Sequence, residues 1–495
     1  MTEYIASSDL TPSLSEDVLI TILPVHAGRI YAGTKKFEFR KRIPRIVPRR
    51  VFLYETKRVQ AVTGHIVLDG VVRGTPEHVW KFARHGGSTK QAFNRYFDRM
   101  DTAYAYRVAA SVRYSNPIPL SQVLAIDAGF RVPQQFLYLQ NVPKLHRHLR
   151  ATAVRECLSL RRGNLRLREI DPSERAEFIR SVEEHISRGY SETGEEYARR
   201  LLSISERGHD PEGFLTTAKS VRVIELNKKM VGFVVLTFKI GGCVKTGPVI
   251  LSQAHRSRGT GQRLREQIHE AVYHLGYRKV YATVPADNVP AYQYLLSSGY
   301  RIEAHLVRPY HPEHDELVLG YMLTHERGPG PEFVRQLTPT TTFRRISRLV
   351  PELSEFLEKE FASTYCTVPA GWANRQMRAA CSAHGGQAKP RLVFAASNES
   401  LLALGICLLK RGGSAKLVLL SQTGHQQSLA DFVGFIESET SAATRNPPRR
   451  FYTHVPAKDS DVMQAFLDRG YRPEGLIEQP YAPGADIVVL GKTLL

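Results

Sequence analysis

Val249–Tyr300 reads VILSQAHRSRGTGQRLREQIHEAVYHLGYRKVYATVPADNVPAYQYLLSSGY. The apolar run Val249-Ile250-Leu251 predicts a strand, and Arg256-Ser257-Arg258-Gly259-Thr260-Gly261 predicts a turn. Leu264, Ile268, Val272 and Leu275 then recur at helical spacing. Two glycines remove the Cβ atoms that would hold a ligand off the backbone, and the first N–H groups of the next helix have no intrahelical partner. With the positive end of the helix dipole, such a turn cradles a pyrophosphate.

Working outward, a second strand is expected over Arg278–Val284, followed by Asn288, Ala291, Gly299 and Tyr300 around a short helix. The turn is neither a dinucleotide GxGxxG nor a P-loop GxxxxGK[ST], so NAD and ATP are poorer candidates. It resembles the hallmark R/QxxGxG/A of the GNAT acyltransferase superfamily, followed in order by that family's N..A.......G(F/Y) segment. The resemblance implies acetyl-CoA as cofactor, lying between the fourth and fifth strands of a mixed, mostly antiparallel sheet. It implies that Arg256, Ser257, Arg258, Gly259, Thr260, Gly261 and Gln262 surround the pyrophosphate. The strand edge Val249, Ile250 and Leu251 would pair with pantetheine, and Asn288 would contact the cofactor arm.

The chain has 495 residues, enough for about three domains. Hydrophobic residues make up 42% and charged residues 23%, a globular composition. No apolar run approaches membrane-spanning length, and the N-terminus lacks the basic and apolar regions of a signal peptide, so a cytoplasmic location is expected. Cys157, Cys243, Cys366, Cys381 and Cys407 are scattered, with no CxxC pair, which argues against a disulfide framework and against a metal site. Net charge is +20, and it is uneven. Eleven Lys or Arg between Arg29 and Arg58 face only Glu38 and Glu55, and eight between Lys144 and Arg168 face Glu156 alone. Such surfaces attract polyanions, nucleic acid first among them.

Between Val18 and about Leu120, short apolar runs separated by Gly and Pro predict a small barrel with a helix near Lys90–Phe97. Gly33, Lys35, Glu38 and Arg40 match the GxKxxExR signature of the ASCH domain, which this region resembles over residues 15–125. That resemblance implies a PUA-like fold and RNA binding through Lys35, Glu38 and Arg40, with Arg49 and Arg50 adding charge. An arginine-rich helix over Asn141–Asn164, apolar at Leu145, Leu149, Ala153, Cys157 and Leu160, is expected to join this barrel to the middle third of the chain.

The last third repeats the middle third. VPADN at Val284 returns as VPAKD at Val455, and SGYR at Ser298 returns as RGYR at Arg469. Pro285 and Pro456, Gly299 and Gly470, Tyr310 and Tyr481, and Gly320 and Gly491 all stand 171 residues apart. Where the first copy has its glycine turn, the second has Thr423-Gly424-His425-Gln426-Gln427-Ser428, which cannot bring the same amides to a pyrophosphate. The expected architecture is α/β (α+β). A PUA-like barrel (1–130) and a basic helical linker (131–163) precede a GNAT domain (164–327) and a degenerate GNAT-like domain (335–495).

Acyl transfer to an amine needs a base for the amine proton and an acid for the leaving thiolate. The tyrosine that serves as acid in the resembled family falls here at Leu295, with Tyr294 and Tyr292 beside it. The strand Cys243–Leu251 carries no carboxylate, which leaves Glu225, Glu303, His305 or a water chain as candidate bases. The leading expectation is an acetyl-CoA-dependent N-acetyltransferase acting on a primary amine, with the ASCH domain engaging RNA. One alternative is a nucleic-acid-binding regulatory protein whose GNAT core binds acyl-CoA without catalysis. Another is an ASCH amidohydrolase of acylated nucleosides.

Overall fold

The computed structural model describes residues 3–6, 17–45, 47–83, 86–159, 163–186, 193–210, 213–256, 258–324, 330–340, 342–348, 350–369, 371–381, 391–410 and 412–494. Two sheets organise it. The N-terminal sheet has seven strands, running in space from Phe37–Arg40 through Ala103–Pro119, Ala61–Gly74, Arg50–Glu55 and Val18–Ile22 to Phe136–Tyr138, with Glu3–Ala6 added to Ala61–Gly74. Val18–Ile22 and Arg50–Glu55 pair in parallel, and the remaining pairs are antiparallel. The apolar runs read from the sequence supply its core through Leu19, Phe52, Leu53, Ile66 and Leu68.

The helix Pro143–Leu158 buries Leu145, Leu149, Ala153 and Cys157, the stripe its spacing predicts. It packs on the N-terminal sheet and on the helix Thr260–His274, so it is core between two sheets and not a tether. Leu160, Arg161 and Arg162 lie outside the described residues.

The second sheet has fourteen strands in two runs. The first comprises β1 (Leu165–Arg168), β2 (Thr216–Leu226), β3 (Lys229–Lys239), β4 (Cys243–Leu251), β5 (Lys279–Pro285), β6 (Arg301–Leu306) and β7 (Glu316–Met322). The second comprises β8 (Thr342–Ile346), β9 (Arg391–Asn398), β10 (Ser400–Leu409), β11 (Ser414–Ser421), β12 (Arg450–Pro456), β13 (Arg472–Ile477) and β14 (Ile487–Thr493). In space the first run goes β1-β2-β3-β4-β5-β7-β6, and the second goes β8-β9-β10-β11-β12-β14-β13. The order is the same. Only β4–β5 and β11–β12 are parallel. The runs meet where Ala304 of β6 pairs with Gly475 of β13. A Cβ on Gly475 would lie 2.3 Å from the Glu303 carbonyl oxygen, so this close approach requires glycine.

Contacts across the seam are exchanged symmetrically. Cys243 Sγ lies 3.0 Å from the Pro480 carbonyl, and Ser414 Oγ donates to the Pro309 carbonyl at 2.8 Å; each pair is the other shifted by 171 residues. Lys279 pairs with Glu303 at 2.5 Å, as Arg450 pairs with Glu474. Because the whole sheet is one hydrogen-bonded body, its halves share stability through these buried seams.

The N-terminal sheet docks on the C-terminal end of the helix Thr260–His274. Arg50, buried beside Asp17, donates to the Leu275 carbonyl at 3.3 Å. His65 Nε2 donates to the His274 carbonyl at 2.8 Å, and that tautomer lets Nδ1 accept from the Tyr114 hydroxyl at 3.0 Å. His146 Nε2 reaches Asp17 at 2.9 Å. Burial pushes the Asp17 carboxyl up, but Arg50 and His146 outweigh it and hold the pKa at about 2. A cation at a helix C-terminus also favours the dipole. Among the described residues, no helix is long and apolar enough to cross a membrane.

Candidate active site

The strand β4 pairs with β3 along its length, from Phe238–Val244 to Gly232–Leu251. Its pairing with β5 covers only Cys243–Lys279, Val244–Val280 and Lys245–Tyr281. Beyond Lys245 the two strands part, while β5 continues in register with β7 to Pro285–Glu316. A wedge therefore opens along one edge of β4. Val249 on that stretch is 47% exposed and Ile250 is buried, the alternation of a strand with one solvated face.

At the end of β4, Arg256 Nε donates to the Leu251 carbonyl at 2.9 Å, which folds the turn back on the strand. Gly259 caps the helix Thr260–His274 in the left-handed region, φ +75°, with no capping side chain and with open space where a Cβ would sit. The first-turn N–H groups thus face outward with no side-chain acceptor, the arrangement that accepts an anion. Arg256, Arg258 and Gln262 are exposed around it. Ser257 lies outside the described residues.

Asn288 caps the helix Val289–Ser297 by accepting from the Ala291 N–H at 3.4 Å, which explains the Asn-to-Ala spacing locally. Tyr300, at the end of the motif, is buried and bonded to His269 at 2.7 Å. A Cβ on Gly261 would lie 3.5 Å from the Tyr294 hydroxyl, so Tyr294 stands over the anion turn. Tyr292 packs against the core beside Leu295.

The expected bases lie elsewhere. Glu225, on β2, accepts from Arg168 Nε at 2.8 Å, and β3 and β4 separate it from the wedge. Glu303, on β6, is buried against Lys279 at the seam, with β7 between it and β5. Its burial pushes the pKa up and Lys279 opposes the shift. His305, on the same strand, pairs with Asp315 at 2.9 Å on the surface. A different carboxylate stands nearer, with only β5 between it and the wedge. Glu316 opens β7 opposite Pro285, is 7% exposed, and is pushed up to about 7 by burial, with Lys245 pulling the other way and Asp287 reinforcing the rise. A carboxylate poised near neutrality suits a general base. Glu316 is 65 residues from Leu251 and reaches β5 only by strand crossover. One signal was available: the repeat has Ile487 at the matching position, so only the copy with the glycine turn keeps the carboxylate.

The corresponding wedge of the second run is filled by the chain itself. Gly424 N–H donates to the Gln336 carbonyl at 2.9 Å, Thr423 Oγ1 to the Thr338 carbonyl at 2.6 Å, and the Thr340 N–H to Ser428 Oγ at 3.1 Å. Arg335 Nη2 pairs at 2.7 Å with Asp459, the counterpart of Asn288, and its Nε donates to the Ser421 carbonyl at 2.9 Å. Segment 335–340 thus lies across the turn and strand edge where the first run is open.

In the N-terminal sheet, Lys35 and Arg40 both pair with Glu38, at 3.2 and 3.1 Å, and all three are buried. Arg40 also donates to the Thr21 carbonyl at 2.7 Å. The signature residues form one buried charge cluster. Arg49 and Arg50 were expected on a nucleic-acid surface, but they are 2% and 1% exposed. Arg50 is spent on Asp17 and the Leu275 carbonyl. Sequence charge counts treat all arginines as surface, and burial removes these two from contact with phosphates.

Residues 179–300 match the family described as Acetyltransferase (GNAT) family. Over 129 residues the chain is 31% identical to an ASCH domain-containing ribonuclease of Zymomonas mobilis subsp. mobilis, covering 25% of this chain and 85% of that protein. The chain is an ASCH-family protein carrying a GNAT acyltransferase domain. Among solved structures, the ASCH protein of Zymomonas mobilis is 29% identical, covering 26% of this chain and 94% of that one, with TM-score 0.24. Spermidine N-acetyltransferase of Vibrio cholerae, solved with CoA and spermine, is 18% identical, covering 33% of this chain and 97% of that one, with TM-score 0.27. In this ASCH–GNAT chain the GNAT match contains β4, the glycine turn and the helix after it.

Proposed function

We propose that the protein is an acetyl-CoA-dependent N-acetyltransferase acting on a primary amine, with the reaction carried by β1–β7. The observation that carries this reading is the parting of β4 from β5 beside the uncapped helix N-terminus at Gly259. The chain fits the cofactor there: open space around Gly259, exposed Arg256 and Arg258, and an unpaired edge on β4. Acetyl-CoA, when bound, supplies an acetyl group activated as a thioester. Amides of Arg258 to Gln262 hold its pyrophosphate, and the edge at Val249–Leu251 aligns its arm. Glu316 takes the amine proton, and Lys245 beside it stabilises the carboxylate form. Tyr294, over the turn, serves phosphate positioning, and water supplies the proton to the leaving thiolate, so Tyr294 substitution should raise KM for the cofactor more than it lowers kcat. Labelled acetyl-CoA offered to total RNA, protein and small amines tests the reading; no labelled product in any fraction would sink it.

The N-terminal sheet is read as a PUA-like fold that engages RNA, supported by the name of its Zymomonas relative and the signature cluster at Lys35, Glu38 and Arg40. The run β8–β14 is read as a degenerate second GNAT fold, supported by its identical strand order. Calorimetry should therefore give one acetyl-CoA per chain, because segment 335–340 covers the second wedge; a stoichiometry of two would overturn that reading.

Glu316 makes a pH prediction. Its carboxyl is raised above the ordinary value of about 4.3, so the folded state favours the protonated form. As pH rises through about 7 the charge must be carried in the buried site. kcat/KM should rise through that pH in the wild type, and the limb should vanish in Glu316→Gln. The same variant should melt higher than wild type above pH 7 and no higher well below it. An unchanged pH–rate profile in the variant would remove Glu316 from the mechanism.

A further inference from the structure

We infer that the cleft between the helix Pro143–Leu158 and β2 is a binding site for a phosphate ester of nucleotide size. Its volume is about 590 Å3, within the range of small-ligand sites. Eight Lys or Arg side chains line it against two carboxylates. Arg175 is matched by Glu206 at 2.6 Å, and Arg50 is matched by Asp17. That leaves Arg147, Arg150, Arg155, Arg207 and Arg222 around one remaining acid, Glu169.

An independent observation points to an anion. Arg222 is 5% exposed, its Nε donates to Ser220 Oγ at 2.8 Å, and its Nη1 is held by a single ion pair. The nearest carboxylate, Glu169, is 3.3 Å away with a side chain 66% exposed, so it is loosely held. A buried guanidinium left in that state costs free energy that a bidentate phosphate would recover. Burial lowers the Arg222 pKa, and Glu169 only partly offsets this. Arg150 is fixed over the cleft by its Nη2 donating to Thr217 Oγ1 at 3.3 Å. Several cations sharing one carboxylate suit a doubly charged phosphate better than a singly charged carboxylate ligand.

The site is separate from the acyl-CoA wedge. Its β2 residues pair with Val234–Phe238 of β3, near the start of β4, whereas the anion turn follows Leu251 at the other end. The ligand chemistry has two sources, a free nucleotide or a phosphodiester within a nucleic-acid strand.

The test uses the full chain, as wild type and as Gly259→Asp with Gly261→Asp, so that phosphate binding at the cofactor turn is separated from this site. AMP, ADP and a short single-stranded oligoribonucleotide are titrated by calorimetry and fluorescence anisotropy. Binding should persist in the cofactor-turn variant and weaken roughly tenfold or more in Arg147→Glu with Arg155→Glu, both exposed and safe for folding. Arg222→Met, checked for folding by its melting curve, should weaken it similarly. If the oligonucleotide binds, log affinity should fall with log salt by about 0.7 per phosphate contacted. Nucleotide binding identifies a free-ligand pocket, and binding of the strand alone identifies a strand path; both support the site. Failure of all three probes, or binding indifferent to the Arg147 and Arg155 reversals, overturns it.

Discussion

Gly259→Asp combined with Gly261→Asp is expected to abolish acetyl-CoA binding, with affinity falling by roughly a hundredfold or more, while the chain stays folded. Gly259 sits at φ +75°, where an L side chain is strained by about 1–2 kcal/mol, so the turn must shift to accommodate it. Open space around its Cβ means that the cost stays local. At Gly261 the new carboxylate enters beside the Tyr294 hydroxyl, 3.5 Å from the added Cβ. Both substitutions set negative charge where the helix N-terminus faces a pyrophosphate, which removes charge-assisted contacts and adds repulsion. A loss of about 3 kcal/mol corresponds to that hundredfold change. Calorimetry checks it, with circular dichroism to confirm the fold. Undiminished affinity would show that the glycine turn is not the cofactor cradle.

Asp17→Ala should cost roughly 3–5 kcal/mol of stability, the largest effect expected of a residue remote from the wedge. It would leave Arg50, 1% exposed, with its charge uncompensated between the N-terminal sheet and the Leu275 carbonyl. The urea midpoint should drop and should recover in part when Arg50→Met is added, because an apolar pair at that seam avoids the desolvation penalty. Asp17 also gives a pH signature with a definite sign. Its pKa is depressed to about 2 from an ordinary value near 3.9, so its contribution is full above about pH 4 and is lost as pH falls toward 2. A single variant as stable as wild type would show that the two bodies do not depend on this clamp.

Local patterns carried much of the fold. The strand, turn and helix around Gly259 were legible because apolar periodicity and glycine placement are local properties, and β4 with the helix Thr260–His274 follows them. A fixed spacing of 171 residues was legible, and the two runs of strands share one order, with seam contacts exchanged at that spacing. Asn288 and Tyr300 were legible as positions, although their local work proved to be a helix cap and a buried hydrogen bond.

Other features are set only when strands cross. Composition gave Arg49 and Arg50 as cations, but burial depends on which body packs over them. Glu225 and Glu303 had the right chemistry, yet two strands stand between each of them and the wedge, because neighbours in a sheet need not be neighbours in sequence. Glu316 stands nearest the wedge for the same reason, brought to the end of β5 by the β5–β7 pairing, and its raised pKa comes from burial there. The segment 335–340 reads as a connector, and only the folded chain lays it across the second wedge. The sequence by itself determined the elements and the glycine turn, since these depend on residues close together in the chain, and it showed the recurring spacing directly. The tertiary structure decided which charges are buried, which carboxylate stands nearest the wedge and which wedge stays open, since desolvation and strand neighbourhood are set by residues far apart in the chain.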